Sequence, residues 1–350
     1  VSSGHSSVSA LLGKETYKKA KAILDSMTEE EKVAQMFIVR CPDTAAKDVA
    51  LKYQFGGYIL FARDFKERDK QQMVAAIQEY QDVSKVPMFI GVDEEGGTVN
   101  RISLYKQYRE VPFWSPRDLF DEGGMELIKS DTKEKCRLLS SLGINLNFAP
   151  VADISSDPAD YMYPRTFGTS AEETCKYVEN VVSVMKENGI GSVLKHFPGY
   201  GNNSDTHTGI AVDERSLRSL RENDFLPFES GIEAGAEVVL VSHNIVRSID
   251  GEHPASLSLQ VHNILRDEIG FSGLIITDDL YMDAIREYTH GQEAAVMAVL
   301  AGNDLLCCSD YQTQYPAVVQ ALKDGKISDS RVDESVMRIL QYKISMGLMN

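Results

Sequence analysis

Eight short apolar runs, each bounded by Gly or Pro and separated by helix-patterned polar stretches, constrain this chain more than any other feature. They cover residues 36–39, 57–61, 87–92, 144–151, 191–194, 237–242, 273–277 and 304–307. Runs of this length without polar alternation suit strands covered on both faces, as in a parallel sheet. The stretches 67–83, 130–142, 171–188, 216–234, 258–269 and 281–301 read as the intervening helices, and two more near 311–322 and 329–346 would complete the set. Eight strands alternating with helices predict an α/β fold, a single-domain (β/α)8 barrel of the TIM type. A doubly wound open sheet would need a Gly-rich phosphate loop after an early strand. Neither GxGxxG nor GxxxxGK[ST] occurs, and the Gly-Gly pairs at 56–57, 96–97 and 123–124 read as isolated turns.

The ends of the chain and its composition narrow the partners. Residues 1–13 are Ser-rich with no apolar signal core and read as a flexible leader, which leaves 14–350 as the barrel domain. A helix is expected over 14–25, and Thr28 followed by Glu31 has the spacing of a capping box. With 36 basic against 52 acidic residues the net charge is −16. Such a surface repels phosphate backbones, which argues against nucleic acid and anionic membranes as partners. No apolar run approaches the roughly 18 residues that a spanning helix needs. Five cysteines, an odd number without CxxC spacing, argue against a disulfide framework and against a Cys-built zinc site. Free thiols suit a reducing compartment, but localisation stays open between the cytoplasm and a secreted or cell-surface setting.

In a barrel of this kind chemistry sits at the C-terminal ends of the strands. The third run ends in Asp93-Glu94-Glu95-Gly96-Gly97, with Arg101 beyond it, and the fourth reaches Asp153. The fifth ends in Lys195-His196 and leads through a Gly/Asn-rich loop to Asp205-Thr206-His207. The sixth ends in Ser242-His243-Asn244 and the seventh in Thr277-Asp278-Asp279. Of the adjacent pair, Asp278 is expected to point into the barrel mouth and Asp279 to cap the helix near Tyr281. Asp205 and His207, two apart on a loop, can pair carboxylate with imidazole, which orients the ring and raises its basicity. His243 and Asp153 fit buried hydrogen-bonding roles as well as ligand contact, Tyr161, Tyr163 and Trp114 could stack on the ring of a ligand, and Met282 reads as packing.

These residues resemble a known signature. Lys195-His196-Phe197-Pro198-Gly199-Tyr200-Gly201 followed by Asp205-Thr206-His207 is similar to the motif of the glycoside hydrolase family 3 β-N-acetylglucosaminidases. The segment from Met27 to Met36, the Gly56-Gly57-Tyr58-Ile59-Leu60-Phe61 run, the turn from Asp93 to Arg101, Asn147–Asp153, Arg165-Thr166-Phe167-Gly168 and Thr277-Asp278-Asp279-Leu280 resemble further family segments in the same order. The resemblance covers roughly residues 20–346.

What it implies is a retaining, cofactor-free hydrolase, of bacterial source, acting on non-reducing terminal β-linked N-acetylglucosamine in peptidoglycan or chitin-derived fragments. It implies Asp278 as nucleophile, His207 as acid/base and Asp205 as its orienting partner. Asp93, Arg101, Arg165, Lys195 and His196 are implied as ligands of the sugar hydroxyls and acetamido group. The chain departs from the family pattern in two places. Three residues, rather than four, separate Gly201 from Asp205, and Tyr200 stands where the family often has His or Arg. The accessory domain of many family members is not in these 350 residues, as in the single-barrel members. Four alternatives remain: a phosphorylase or a β-glucosidase on the same scaffold, a metal-dependent barrel hydrolase using His196, His207, His243 and Asp278, and a non-catalytic sugar-binding protein. Against the metal site, the first run ends Ile38-Val39-Arg40 without a histidine.

Overall fold

The computed structural model describes residues 3–349 apart from 169, 204, 208, 291 and 292, with the backbone alone described over 3–12. Eight parallel strands form one sheet: β1 (Phe37–Arg40), β2 (Gly57–Leu60), β3 (Phe89–Val92), β4 (Leu146–Asn147), β5 (Gly191–Phe197), β6 (Val238–Val241), β7 (Leu274–Thr277) and β8 (Leu306–Cys308). Neighbours in space are neighbours in sequence, and β8 pairs back onto β1 through Phe37–Leu306. Between β7 and β8 a parallel bridge, Ile276–Leu305, completes the ring. This is the expected barrel, and each of the eight expected runs contributes a strand. Most strand residues are buried, which is why the runs lack alternation.

The helices follow the expected order with differences at their ends and breaks. The first, expected over 14–25, spans Ser3–Ser26 and so takes in most of the stretch read as a leader; it packs on the last helix, Asp329–Ser345. Thr28 and Glu31 form the expected capping box, each side chain accepting from the other's N–H. The helix expected over 130–142 begins earlier, at Pro116, and is kinked at Gly123 and Gly124. The stretch read as one helix over 281–301 is two, Asp283–Thr289 and Ala294–Ala301. Beside the barrel, Val212–Asp213 and Ile245–Val246 form a short parallel pair that the apolar pattern did not signal. Among the described residues no helix is long and apolar enough to cross a membrane.

Candidate active site

A cavity of about 520 Å³ opens at the C-terminal end of the barrel, within the range of small-molecule sites. All eight residues singled out from the sequence, Asp93, Arg101, Arg165, Lys195, His196, Asp205, His207 and Asp278, line it.

The floor is an ion-pair network. Lys195, 2% exposed, places Nζ 2.6 Å from Asp93 Oδ1 and 2.6 Å from Glu95 Oε1. Arg165 grips the same Glu95 through Nη2 (2.7 Å) and Nε (3.1 Å). Burial by itself would raise the Glu95 carboxyl, but the Arg165 guanidinium and Lys195 ammonium outweigh it and hold the group well below the usual carboxylate range. Burial likewise opposes the Lys195 charge, and Asp93 and Glu95 reverse that, pushing the ammonium up. The result is a pre-oriented array of charges at the cavity floor, suited to orienting the polar groups of a ligand.

Glu94, beside them, has a structural task. Its buried carboxylate accepts from the N–H groups of Arg101 (2.8 Å), Ile102 (2.8 Å) and Ser103 (3.0 Å). That folds the turn carrying Arg101 back to the cavity. Arg101 lies over the Phe61 ring at 5.8 Å, and Arg40 from the end of β1 lies over it at 4.7 Å.

His196 leans on Asp153, whose Oδ2 accepts from its N–H (3.1 Å) and its Nδ1 (2.7 Å). With Nδ1 donating, Nε2 faces Arg165 Nη2 at 3.5 Å with its lone pair. Asp153 is thus a buried hydrogen-bonding partner, and so is His243. Its Nε2 donates to the Asp279 carbonyl (3.0 Å) and its Nδ1 accepts from Ser256 (2.8 Å). Burial pushes the His243 imidazole down, in keeping with that neutral tautomer.

Asp278 follows β7. Its Oδ1 accepts the Asp279 N–H at 2.8 Å. Burial disfavours its charge, yet the surrounding His243, His196 and His207 and that N–H bring its carboxyl below the ordinary value. A carboxyl in this state is ionised at neutral pH. Asp279 closes the 279–281 turn by accepting from Tyr281 N–H (3.0 Å) and also from Ser309 N–H (3.0 Å). The following helix starts only at Asp283, so Asp279 braces the turn and β8's end rather than capping that helix.

His207 stands on the loop after β5, with a 59% exposed side chain, and its Nδ1 donates to Asp205 Oδ1 at 2.7 Å. That leaves Nε2 without a protein partner among the described residues. The loop is founded on two glycines. Gly199 (φ +114°) and Gly201 (φ +59°) hold left-handed conformations that favour glycine, and a Cβ on either would come within 2.5 Å of Asp224 or Arg215. Arg215 ties the loop down by donating to the Gly199 carbonyl (2.9 Å) and to Asp224 (2.7 Å).

Sequence reasoning passed over Glu95, Arg40, Phe61, Tyr281 and Arg286, and all but buried Glu95 line the cavity. Glu95 could have been suspected from the Asp93-Glu94-Glu95 run, but nothing local separates its role from that of Glu94. Met282, read as packing, also faces the cavity, as does Tyr161, whereas Tyr163 instead lies under Arg117. Among the described residues no cluster of His, Cys, Asp and Glu has metal-holding geometry.

With this geometry in hand, comparisons with known proteins identify the class. The chain matches the glycosyl hydrolase family 3 N-terminal domain over residues 28–342 and belongs to that family. It is similar to the β-hexosaminidase LpqI of Mycobacterium tuberculosis, 31% identical over 332 residues, covering 91% of this chain and 83% of LpqI. A solved structure of LpqI superposes with a TM-score of 0.82 at 29% identity over 91% of this chain and 95% of the other. A family 3 β-N-acetylglucosaminidase from a Paenibacillus species superposes with a TM-score of 0.85 at 29% identity, over 92% of this chain. This chain spans 63% of that longer protein.

Proposed function

We propose that this chain, with the barrel of residues 14–350 as its catalytic unit, is a retaining exo-β-N-acetylglucosaminidase. It removes non-reducing terminal β-linked N-acetylglucosamine from peptidoglycan or chitin-derived fragments. The observation that carries the reading is the convergence on one cavity of a half-buried carboxylate, Asp278, whose charge its surroundings favour, and a carboxylate-paired imidazole, His207 with Asp205.

Asp278 attacks the anomeric carbon and forms a glycosyl–enzyme ester as the bond to the leaving oxygen breaks. His207, protonated, gives its proton to that oxygen. In the second step water attacks the same carbon, His207 takes the water's proton, and the Asp278 ester bond breaks to restore the carboxylate. Retaining glycosidases usually use two carboxyl groups. A carboxylic acid must have its pKa raised to donate at neutral pH, whereas histidine is the side chain whose ordinary chemistry serves as acid and base in that range. Asp93, Arg101, Arg165, Lys195 and His196 hold the sugar. The Lys195–Asp93 and Arg165–Glu95 pairs support this role, since Lys195, Asp93 and Arg165 reach the cavity already oriented, Arg165 by buried Glu95.

The test is release of nitrophenol from the β-N-acetylglucosaminide and the β-glucoside, side by side, by wild type and Asp278→Asn. Strong preference for the acetamido sugar, with kcat falling about 10⁴-fold in the variant, is the expected result. Equal turnover of both sugars would overturn the substrate assignment. An active Asp278→Asn would overturn the nucleophile. Turnover that requires inorganic phosphate would make the enzyme a phosphorylase instead.

A further inference from the structure

The loop after β5 departs twice from the family pattern, in its length before Asp205 and in carrying Tyr200, and the two departures meet in space. Tyr200 is 3% exposed. Its hydroxyl accepts the Thr206 N–H at 2.8 Å and lies 3.1 Å from the Thr206 hydroxyl. Thr206 sits between Asp205 and His207 and is itself 1% exposed. Its carbonyl accepts the Ala284 N–H, from the helix after β7, at 3.3 Å. At its other end Tyr200 donates its own N–H to Asp153 Oδ1 at 2.7 Å, and Asp153 Oδ2 is the partner of His196. The Tyr200 ring meets His196 edge-on, with centroids 5.6 Å apart. One side chain therefore spans the gap from the sugar-facing wall to the midpoint of the turn that carries His207.

We propose that Tyr200 is a positioning residue for this turn, its hydroxyl fixing the backbone between Asp205 and His207 so that the imidazole is presented to the leaving oxygen. This rests on His207 being the acid/base. The physical ground is that Thr206 N–H is buried and Tyr200 is its partner. Without the hydroxyl that donor is left unpaired, and the turn relaxes toward water. His207 is largely exposed, so its aim depends on the turn beneath it. A misplacement of about 1 Å can cost on the order of 10²-fold in rate.

The test compares two β-N-acetylglucosaminides, one with a dinitrophenyl leaving group and one a β-linked N-acetylglucosamine disaccharide. Only the disaccharide needs its leaving oxygen protonated. Tyr200→Phe is expected to lower kcat/KM about 10- to 100-fold on the disaccharide and less than about threefold on the dinitrophenyl substrate. His207→Ala should show the same selectivity, more strongly. Equal losses on both substrates, or no loss, in Tyr200→Phe would overturn the positioning role. A His207→Ala variant without leaving-group dependence would instead overturn the acid/base assignment itself. If Tyr200→Phe proves unfolded by its thermal transition, Thr206→Val probes the same link from the loop side. There a selective loss of about threefold on the disaccharide supports the proposal and unchanged selectivity overturns it.

Discussion

Lys195 and Lys343 are both sealed inside this barrel, at opposite ends, and their surroundings treat the charge in opposite ways. At the mouth, Lys195 meets two carboxylates, Asp93 and Glu95, and its ammonium is pushed up. At the bottom, Lys343 from the last helix meets the Gln35 side-chain oxygen (2.9 Å) and the Gly56 carbonyl (2.9 Å), with the Phe89 ring 4.8 Å away. Dipoles alone do not compensate for lost hydration, and burial lowers Lys343 to about 7. A barrel can thus hide a lysine either as a fixed charge for chemistry or as a near-neutral donor that closes the packing, and the partners decide which. The contrast follows the division of labour between the strand ends, catalysis above and stability below.

The comparison breaks most visibly if Lys195 is removed. Lys195→Met leaves half-buried Asp93 and buried Glu95 beside one another with Arg165 as the remaining cation. We expect a loss of about 3–5 kcal/mol in urea unfolding and a fall of about 10²-fold or more in kcat/KM. A variant as stable as wild type would mean that the network carries no net cost when its cation is removed.

The next effect is a pH slope. Lys343 has its pKa lowered to about 7 in the folded chain, against 10.5 ordinarily. Between those values the unfolded chain binds more protons than the folded one, so stability rises with pH and levels off above the ordinary value. The slope is at most about 1.4 kcal/mol per pH unit, and it is read by comparing urea midpoints of wild type and Lys343→Met from pH 6 to 10. Lys195 has the opposite sign, because its raised pKa stabilises the fold below the ordinary lysine value and is lost only as pH rises through the folded one. A flat difference between wild type and Lys343→Met would show that Lys343 keeps its charge.

The smallest effect sharpens the contrast. At pH 6, Lys343→Met removes a buried ammonium but leaves Gln35 Oε1 and the Gly56 carbonyl without that donor, so the two changes largely offset. We expect a gain of about 1 kcal/mol and unchanged kcat/KM. A large loss of stability would place Lys343 in the same class as Lys195.

Much of this was legible beforehand because it depends on local pattern. The eight apolar runs mark strands covered on both faces, and the Thr28–Glu31 spacing is itself the capping box. Seven of the eight residues chosen for the site lie at or after strand C-termini, which converge in a barrel, while Arg165 came from the family resemblance. What was missed is non-local. The break between Asp283–Thr289 and Ala294–Ala301 lies inside a stretch whose composition favours one helix. The different tasks of Glu94 and Glu95 cannot be read from two adjacent glutamates, since one folds a turn by accepting backbone N–H groups and the other pairs with Arg165, 70 residues away.

By itself the sequence determined the class of fold, the order of its elements and many of the side chains delivered to the mouth, because periodicity and strand-end position are properties of neighbouring residues. The tertiary structure alone decided which buried charges are held and which are suppressed, and that Tyr200 reaches the turn before His207. Lys195 and Asp93 are 102 residues apart, and a pKa depends on what stands within a few ångströms, which no local pattern records.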